Sequence, residues 1–293
     1  MNYYNEIKNE LINNEVYKKV KDYSKNRSDL KTYYNVGKLL FDAGKHYGEK
    51  IINEYSKKLS EELGINYSIT SLKYMRQFYN FSKSHSVSDR LTYTHYKMLF
   101  SIKDRDKINY YIKVCMEQNL SVRQLKEKIK SNEYDRLDDK TKLKLINEEK
   151  LEINDFVKNP IVIKNTNNYE IINEKILKEL ILEDLDNIME ELGRGFSYIK
   201  NEYKIKLGDS YNYIDLLLFN IQYNCYVVIE LKVVELKKEH IGQIQVYMNY
   251  IDKKIKNINH DKTIGIIIVK KDNKFILEYS SDERIYETTY ILE

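Results

Sequence analysis

The chain has 293 residues, 32% of them charged, with a mean hydropathy of -0.63; it is long enough for two domains and too polar for an integral membrane protein. No apolar run approaches the roughly 18 residues of a membrane helix, and the opening segment, with Glu6, Glu10 and Glu15, does not resemble a signal peptide, so a cytoplasmic location is expected. Residues 1–150 hold 30 Lys and Arg against 21 Asp and Glu, and residues 151–293 hold 19 against 24, so the net +4 divides into +9 and −5.

A basic half beside an acidic half suits a nucleic-acid-binding module joined to a metal-binding one, and suits equally a solvated surface that differs between halves. Residues 2–131 read as consecutive helices, with apolar positions three and four apart at Val36, Leu39 and Leu40 and at Ile51, Ile52, Tyr55, Leu59 and Leu63. Ser121 and Gln124 have the S-x-x-Q spacing of a capping box and open a short helix through Ile129. Arg76, His95 and Arg123 lie in these helical stretches beside aromatics, where they could grip phosphates or be ordinary surface residues. Cys115 and Cys225 have no CxxC partner and read as reduced core thiols.

A charge-dense stretch closes near Pro160, the only proline, and reads as the domain boundary: a helical domain over 1–135, a linker over 136–166 and a second domain over 167–293. From Tyr169 the pattern changes. A long helix is expected to about Leu192, broken by Gly193 and Gly195. Strands follow at about 196–207, 212–219 and 225–232, then a helix at 238–256, a strand at 263–269 and a last strand near Phe275 to Tyr279. Helix, three-stranded meander, helix and two strands describe a mixed sheet with helices on its faces.

The strand pair carries the functional signal. Tyr213-Ile214-Asp215-Leu216-Leu217-Leu218-Phe219 and Cys225-Tyr226-Val227-Val228-Ile229-Glu230-Leu231-Lys232 are buried strands by composition, yet they contain three charges. Glu230 and Lys232 share a face, and a hairpin at residues 221–224 would bring Asp215 to the same spot. Two carboxylates and a lysine around a point can hold a divalent ion and activate water against a phosphodiester. The Glu-x-Lys spacing alone recurs at Glu6/Lys8, Glu148/Lys150, Glu202/Lys204 and Glu235/Lys237; the apolar context separates Glu230/Lys232 from these, a structural ion pair being the other reading. Glu191, ahead of the glycine turn, either completes the metal shell or is one of several solvated acids. Gln243 and Tyr247 share a helix face that follows the Glu230 strand, although Tyr247 is also an ordinary core aromatic.

At these residues the chain resembles the YhcG family, proteins with an amino-terminal helical domain and a carboxy-terminal PD-(D/E)xK nuclease domain. The likeness covers nearly the whole chain. It runs through Tyr33-Tyr34-Asn35-Val36-Gly37, Leu72-Lys73-Tyr74-Met75-Arg76-Gln77-Phe78-Tyr79, Leu91-Thr92-Tyr93-Thr94-His95-Tyr96 and Ser121-Val122-Arg123 in the first half. In the second it runs through Glu191-Leu192-Gly193-Arg194-Gly195-Phe196, both strands, Gly242 to Tyr247 and Thr263-Ile264-Gly265-Ile266. Tyr34, Tyr93 and Tyr96 stand where the family usually has tryptophan, and Lys238 where it has proline.

The resemblance implies an α+β two-domain protein: an all-α, helix-turn-helix-like DNA-binding domain and an α/β restriction-endonuclase-like domain with a mixed central sheet. It implies an endonuclease dependent on Mg²⁺, with Mn²⁺ able to substitute, hydrolysing phosphodiester bonds in DNA in recombination, repair or defence. Asp215 and Glu230 would hold the metal together with Leu231 and the helix acid Glu191. Lys232 would position the attacking water and offset phosphate charge, and Gln243 would join the catalytic group. Arg76, His95, Arg123 and Tyr247 would contact nucleic acid. A homodimer is expected, because cutting both strands from one site per chain calls for two copies; neither a membrane nor a small-molecule cofactor is. Two competing expectations are a nuclease fold that binds DNA or DNA ends and cuts little, and a nuclease directed at RNA.

Overall fold

A computed structural model describes residues 3–19, 25–278 and 282–293. The chain divides into two compact units, Met1–Tyr134 and Asp135–Glu293.

The first unit is helical, with α1 at Tyr3–Lys19, α2 at Lys25–Tyr47, α3 at Ile51–Leu63, α4 at Ile69–Ser82, α5 at Tyr93–Leu99, α6 at Arg105–Gln118 and α7 at Val122–Lys130. The helical reading also covers residues 2 and 20–24, which lie outside the described residues. Apolar stripes converge on Ile7, Leu11, Val36, Leu40, Ile52, Leu59 and Leu72, all buried in one core. Helix starts follow side-chain chemistry. Ser121 accepts from the Gln124 N–H while the Gln124 side chain returns to the Ser121 N–H, the capping box read from the sequence.

The second unit contains α8 at Asp139–Ile146, β1 at Ile161–Ile163, α9 at Glu174–Glu183, α10 at Leu185–Leu192, β2 at Phe196–Leu207, β3 at Ser210–Asn220, β4 at Cys225–Glu235, α11 at Lys238–Lys254, β5 at Ile264–Lys271, α12 at Lys274–Glu278 and β6 at Ile285–Leu292. One six-stranded sheet runs in the order β1-β6-β5-β4-β3-β2. The β2-β3-β4 meander is antiparallel, and β4, β5, β6 and β1 run parallel. Helices α9 and α10 pack Leu177, Leu180, Ile181, Ile188 and Leu192 into the core on one side. On the other side α11 packs Ile244, Tyr247, Met248 and Ile251. Gly265 permits that approach, because a Cβ there would stand 2.7 Å from Ile244 Cδ1 and from Met248 Sδ.

Three sequence expectations meet a different structure. The helix expected to run unbroken to Leu192 is two, hinged at Asp184, which caps both and lets each bury its own stripe. The stretch 136–166, read as a linker, contains α8 and the edge strand β1, and belongs to the second compact unit. Its polarity belongs to a half-exposed surface, and β1 is too short to show a period. Phe275 to Glu278 lies in the short helix α12, with Phe275 exposed, and Tyr279 lies outside the described residues. The strand that completes the sheet is β6, whose Thr288 and Thr289 disguise it. Among the described residues no helix is long and apolar enough to cross a membrane. Cys115 and Cys225 are buried free thiols, each pushed by burial up to about 11.

Candidate active site

The hairpin between β3 and β4 sets the register. Asn220, fully buried, accepts the N–H groups of Gln222 and Tyr223 on its Oδ1 and donates to the Arg194 carbonyl at 2.8 Å. Gly195, at φ +77°, leaves room for that amide, since a Cβ would stand 3.0 Å from the Asn220 Oδ1. The ladder then pairs Asn220 with Cys225 and proceeds to Leu216 opposite Ile229. One step further Asp215 faces Glu230, and there the backbone pairing stops. Instead Asp215 Oδ2 accepts the Leu231 N–H at 2.9 Å, so a side chain replaces a strand carbonyl. The site is this parting of two strands.

Glu230 is 2% exposed, and its Oε1 accepts from Lys232 Nζ at 2.8 Å. Its Oε2 is buried with no hydrogen-bond partner among the described residues. Burial, reinforced by the Asp215 charge and opposed by Lys232, raises its pKa to about 7. For Lys232, burial works against the ammonium, but Glu230, Glu174 and Asp215 outweigh it and hold its pKa above the ordinary lysine value. Helix α9 supplies the rest. Lys178 Nζ lies 2.8 Å from Asp215 Oδ1 and 3.3 Å from Glu202, and Glu174 lies 3.7 Å from Lys232 Nζ. Glu202 sits across from Asp215 on β2, at φ +46°, between the pairs Asn201–Leu216 and Tyr203–Ile214. From α11, Gln243 donates to the Tyr247 hydroxyl at 3.0 Å. Burial raises the Tyr247 pKa, the Gln243 hydrogen bond opposes the rise, and the charges of Glu230 and Asp215 add to it. His240 is buried nearby; burial, then Lys232 and Lys237, lower its pKa.

The structure thus brings together Asp215, Glu230 and Lys232 at the parting strands, and pairs Gln243 with Tyr247 on α11. Leu231, fully buried, can offer only its main chain. Glu191 is not part of the group. It is 6% exposed and held by a bidentate Arg136 guanidinium, by Lys158 at 3.6 Å and by the Val162 N–H at 2.8 Å. With its oxygens committed there, it acts as a buried tie between α10 and the edge of the sheet. Glu174 is the helix acid beside Lys232, and sequence reasoning missed it together with Lys178, Glu202 and His240. The one available signal was the Glu174–Lys178 spacing on a helix face, one such pair among many in so charged a chain.

The four residues expected to meet nucleic acid have different surroundings. Arg76 pairs with Glu49 at 2.7 Å, and Arg123 is exposed and pairs with Glu127 along α7. His95 is buried: its Nδ1 accepts the Thr92 N–H, and its Nε2 donates to the Leu120 carbonyl at 2.9 Å. Both ring nitrogens serve the fold, which corrects its reading as a phosphate contact. Tyr247 is 4% exposed, buried beneath the site rather than presented as a surface contact.

Whether a divalent cation fits can be judged from the oxygens. Asp215 and Glu230 are hard carboxylate donors on neighbouring strands, and the orphaned Oε2 of Glu230 needs a positive partner. Magnesium accepts one or two carboxylates and keeps its waters, so the pair fits. Among the described residues no group of three or more His, Cys, Asp or Glu is placed to hold a metal ion, so the cation would rest on this pair and its own waters.

Comparison with known proteins follows the same division. Residues 154–291 match the YhcG PDDEXK nuclease domain, and residues 8–136 match the DUF1016 N-terminal domain. YhcG of Escherichia coli (strain K12), described as a candidate nuclease, is 23% identical over 282 residues, covering 81% of this chain and 75% of YhcG. Among solved structures, a repair endonuclease from Pyrococcus abyssi aligns over 42% of this chain and 48% of its own, at 20% identity and a TM-score of 0.30. EndoMS in a complex with dsDNA aligns over 42% and 47%, at 20% identity and a TM-score of 0.31.

Proposed function

Because the chain carries a YhcG PDDEXK nuclease domain behind a DUF1016 amino-terminal domain, we propose that it is a divalent-metal-dependent DNA endonuclease. Asp215 and Glu230 are the metal-holding residues of this reading, with the Leu231 main chain adjoining. The observation that carries it is the unpartnered, buried Glu230 Oε2 beside Asp215, an oxygen that the fold leaves without a donor. A bound cation, Mg²⁺ by preference and Mn²⁺ as substitute, would neutralise phosphate charge and make water a stronger acid.

The remaining steps belong to the chain's own side chains. Lys232, charged and held by Glu230, offsets the negative charge that builds on the phosphate and orients the attacking water. Tyr247, tied to Gln243, walls the base of the site and excludes bulk water from the carboxylates. Glu174, exposed at the mouth, steadies Lys232 from the solvent side. The +9 charge of residues 1–150 supports a role for the helical unit in attracting a polyanion. Cleavage of both strands calls for two copies on the substrate, so a dimer on DNA belongs to this reading.

The test is chelator-stripped protein supplied with Mg²⁺ or Mn²⁺ on labelled linear, nicked, forked and four-way DNA, with RNA alongside. Metal-dependent DNA cleavage is expected, and its loss in Asp215→Ala. Undiminished cleavage by folded Asp215→Ala protein would end the assignment. Binding without turnover in either metal would make the chain a DNA-binding module, and preferential cleavage of RNA would change the substrate.

A further inference from the structure

The two carboxylates of the site are unequally engaged. Glu230 keeps one oxygen without a partner. Asp215 has both occupied: Oδ2 by the Leu231 N–H at 2.9 Å and Oδ1 by the Lys178 ammonium at 2.8 Å. Lys178 comes from α9, outside the strand pair, and is well shielded, with only 18% of its side chain exposed. Its second contact, Glu202 at 3.3 Å, lies across β2 from Asp215.

We propose that Lys178 is a built-in competitor for the divalent cation, neutralising Asp215 in the metal-free protein and releasing it when metal enters. This rests on the metal reading given above. The reason is electrostatic. A dication on Asp215 Oδ1 would stand within a few Å of the ammonium, and like charges that close in a partly dry site repel strongly. One of the two must give way. Four acids, Asp215, Glu230, Glu174 and Glu202, are linked here through two lysines. With Lys232 alone the excess would be three negative charges; Lys178 reduces it to two. Lys178 therefore stabilises the empty site and weakens its hold on metal by the same interaction. Once displaced it has a second anchor in Glu202, which keeps the ammonium beside the site, where the next available anion is a substrate phosphate.

The experiment is calorimetric titration of Mn²⁺ into the chelator-stripped full-length chain as wild type, Lys178→Met and Lys178→Arg, with melting temperatures taken with and without Mn²⁺. Removing the competitor should tighten the Mn²⁺ Kd by about tenfold in Lys178→Met, whereas Lys178→Arg, which keeps the cation, should stay within about threefold of wild type. The Met variant should also melt lower than wild type without metal and gain more on adding it. If it does not fold, Lys178→Gln takes its place with the same expectation. An unchanged or weaker Kd in the folded neutral variant overturns the proposal and leaves the metal reading standing. Absence of Mn²⁺ binding in wild type overturns both.

Discussion

Glu191 and Glu230 are two buried carboxylates of one α/β unit in opposite circumstances. Glu191 is saturated by a bidentate arginine, a lysine and a backbone N–H. Glu230 has one lysine, a neighbouring acid, an oxygen with no partner and a pKa raised to about 7. Burying a charge is costly in either place, but only at Glu190's neighbour Glu191 does the fold itself meet that cost. At Glu230 the fold leaves that compensation incomplete. Burial alone therefore does not distinguish the two acids; how completely each is satisfied does.

The sharpest way to break this contrast is to remove each acid in turn. Asp215→Ala or Glu230→Ala should lower metal-dependent DNA cleavage by about a thousandfold or more, with the melting temperature moving by only about 3 °C. Glu191→Ala should do the reverse, destabilising the fold by about 3–5 kcal/mol in urea titration because the buried Arg136 and Lys158 lose the carboxylate that balances their charge. If Glu191→Ala lost activity while keeping full stability, the two acids would have to exchange roles.

A pH titration of metal-free protein sharpens the comparison. Glu230 and Glu287 both have pKa values raised to about 7, chiefly by burial, against 4.5 for a free glutamate. A raised acid keeps its proton longer when folded, so the destabilisation is absent below about pH 4.5 and complete above about pH 7. Unfolding free energy should fall by on the order of 3 kcal/mol from pH 5 to pH 8, after discounting for the Lys232 pair and for partial exposure of Glu287. Saturating Mg²⁺ should abolish the Glu230 share, and Glu287→Gln the other. A flat profile would remove the electrostatic argument for Glu230.

Two smaller effects probe what surrounds the site. Gly265→Ala should cost about 1–3 kcal/mol by pushing α11 away from β5, and should weaken cleavage through displacement of Gln243 and Tyr247. Arg123→Ala removes only an exposed pair along α7, so stability should change by under about 0.5 kcal/mol. Any loss of DNA affinity in that variant would then report a phosphate contact directly, as a shallower dependence of binding on salt.

Much of the fold was legible because its signals are local. The S-x-x-Q cap at Ser121, the meander and the Thr263-to-Val269 run each declare themselves within a few residues. Strand β6 did not, since its threonines lack an apolar period, and the break at Asp184 did not, since neither glycine nor proline marks it. At the site, Asp215, Glu230 and Lys232 stood out as charges inside apolar runs joined by a tight hairpin, whose register follows from Asn220 and the turn.

By itself the amino-acid order determined which strand pair sets Asp215, Glu230 and Lys232 side by side, because a two-residue alternation and a short turn leave only one way to align them. It could not determine which helix acid stands beside them. Glu174 and Glu191 are both helical acids ahead of the same sheet, and their surroundings are set by how α9 and α10 hinge and pack. Only the folded chain brings Lys178 to Asp215 and Arg136 to Glu191, since each contact spans more than thirty residues and depends on packing that no local pattern encodes.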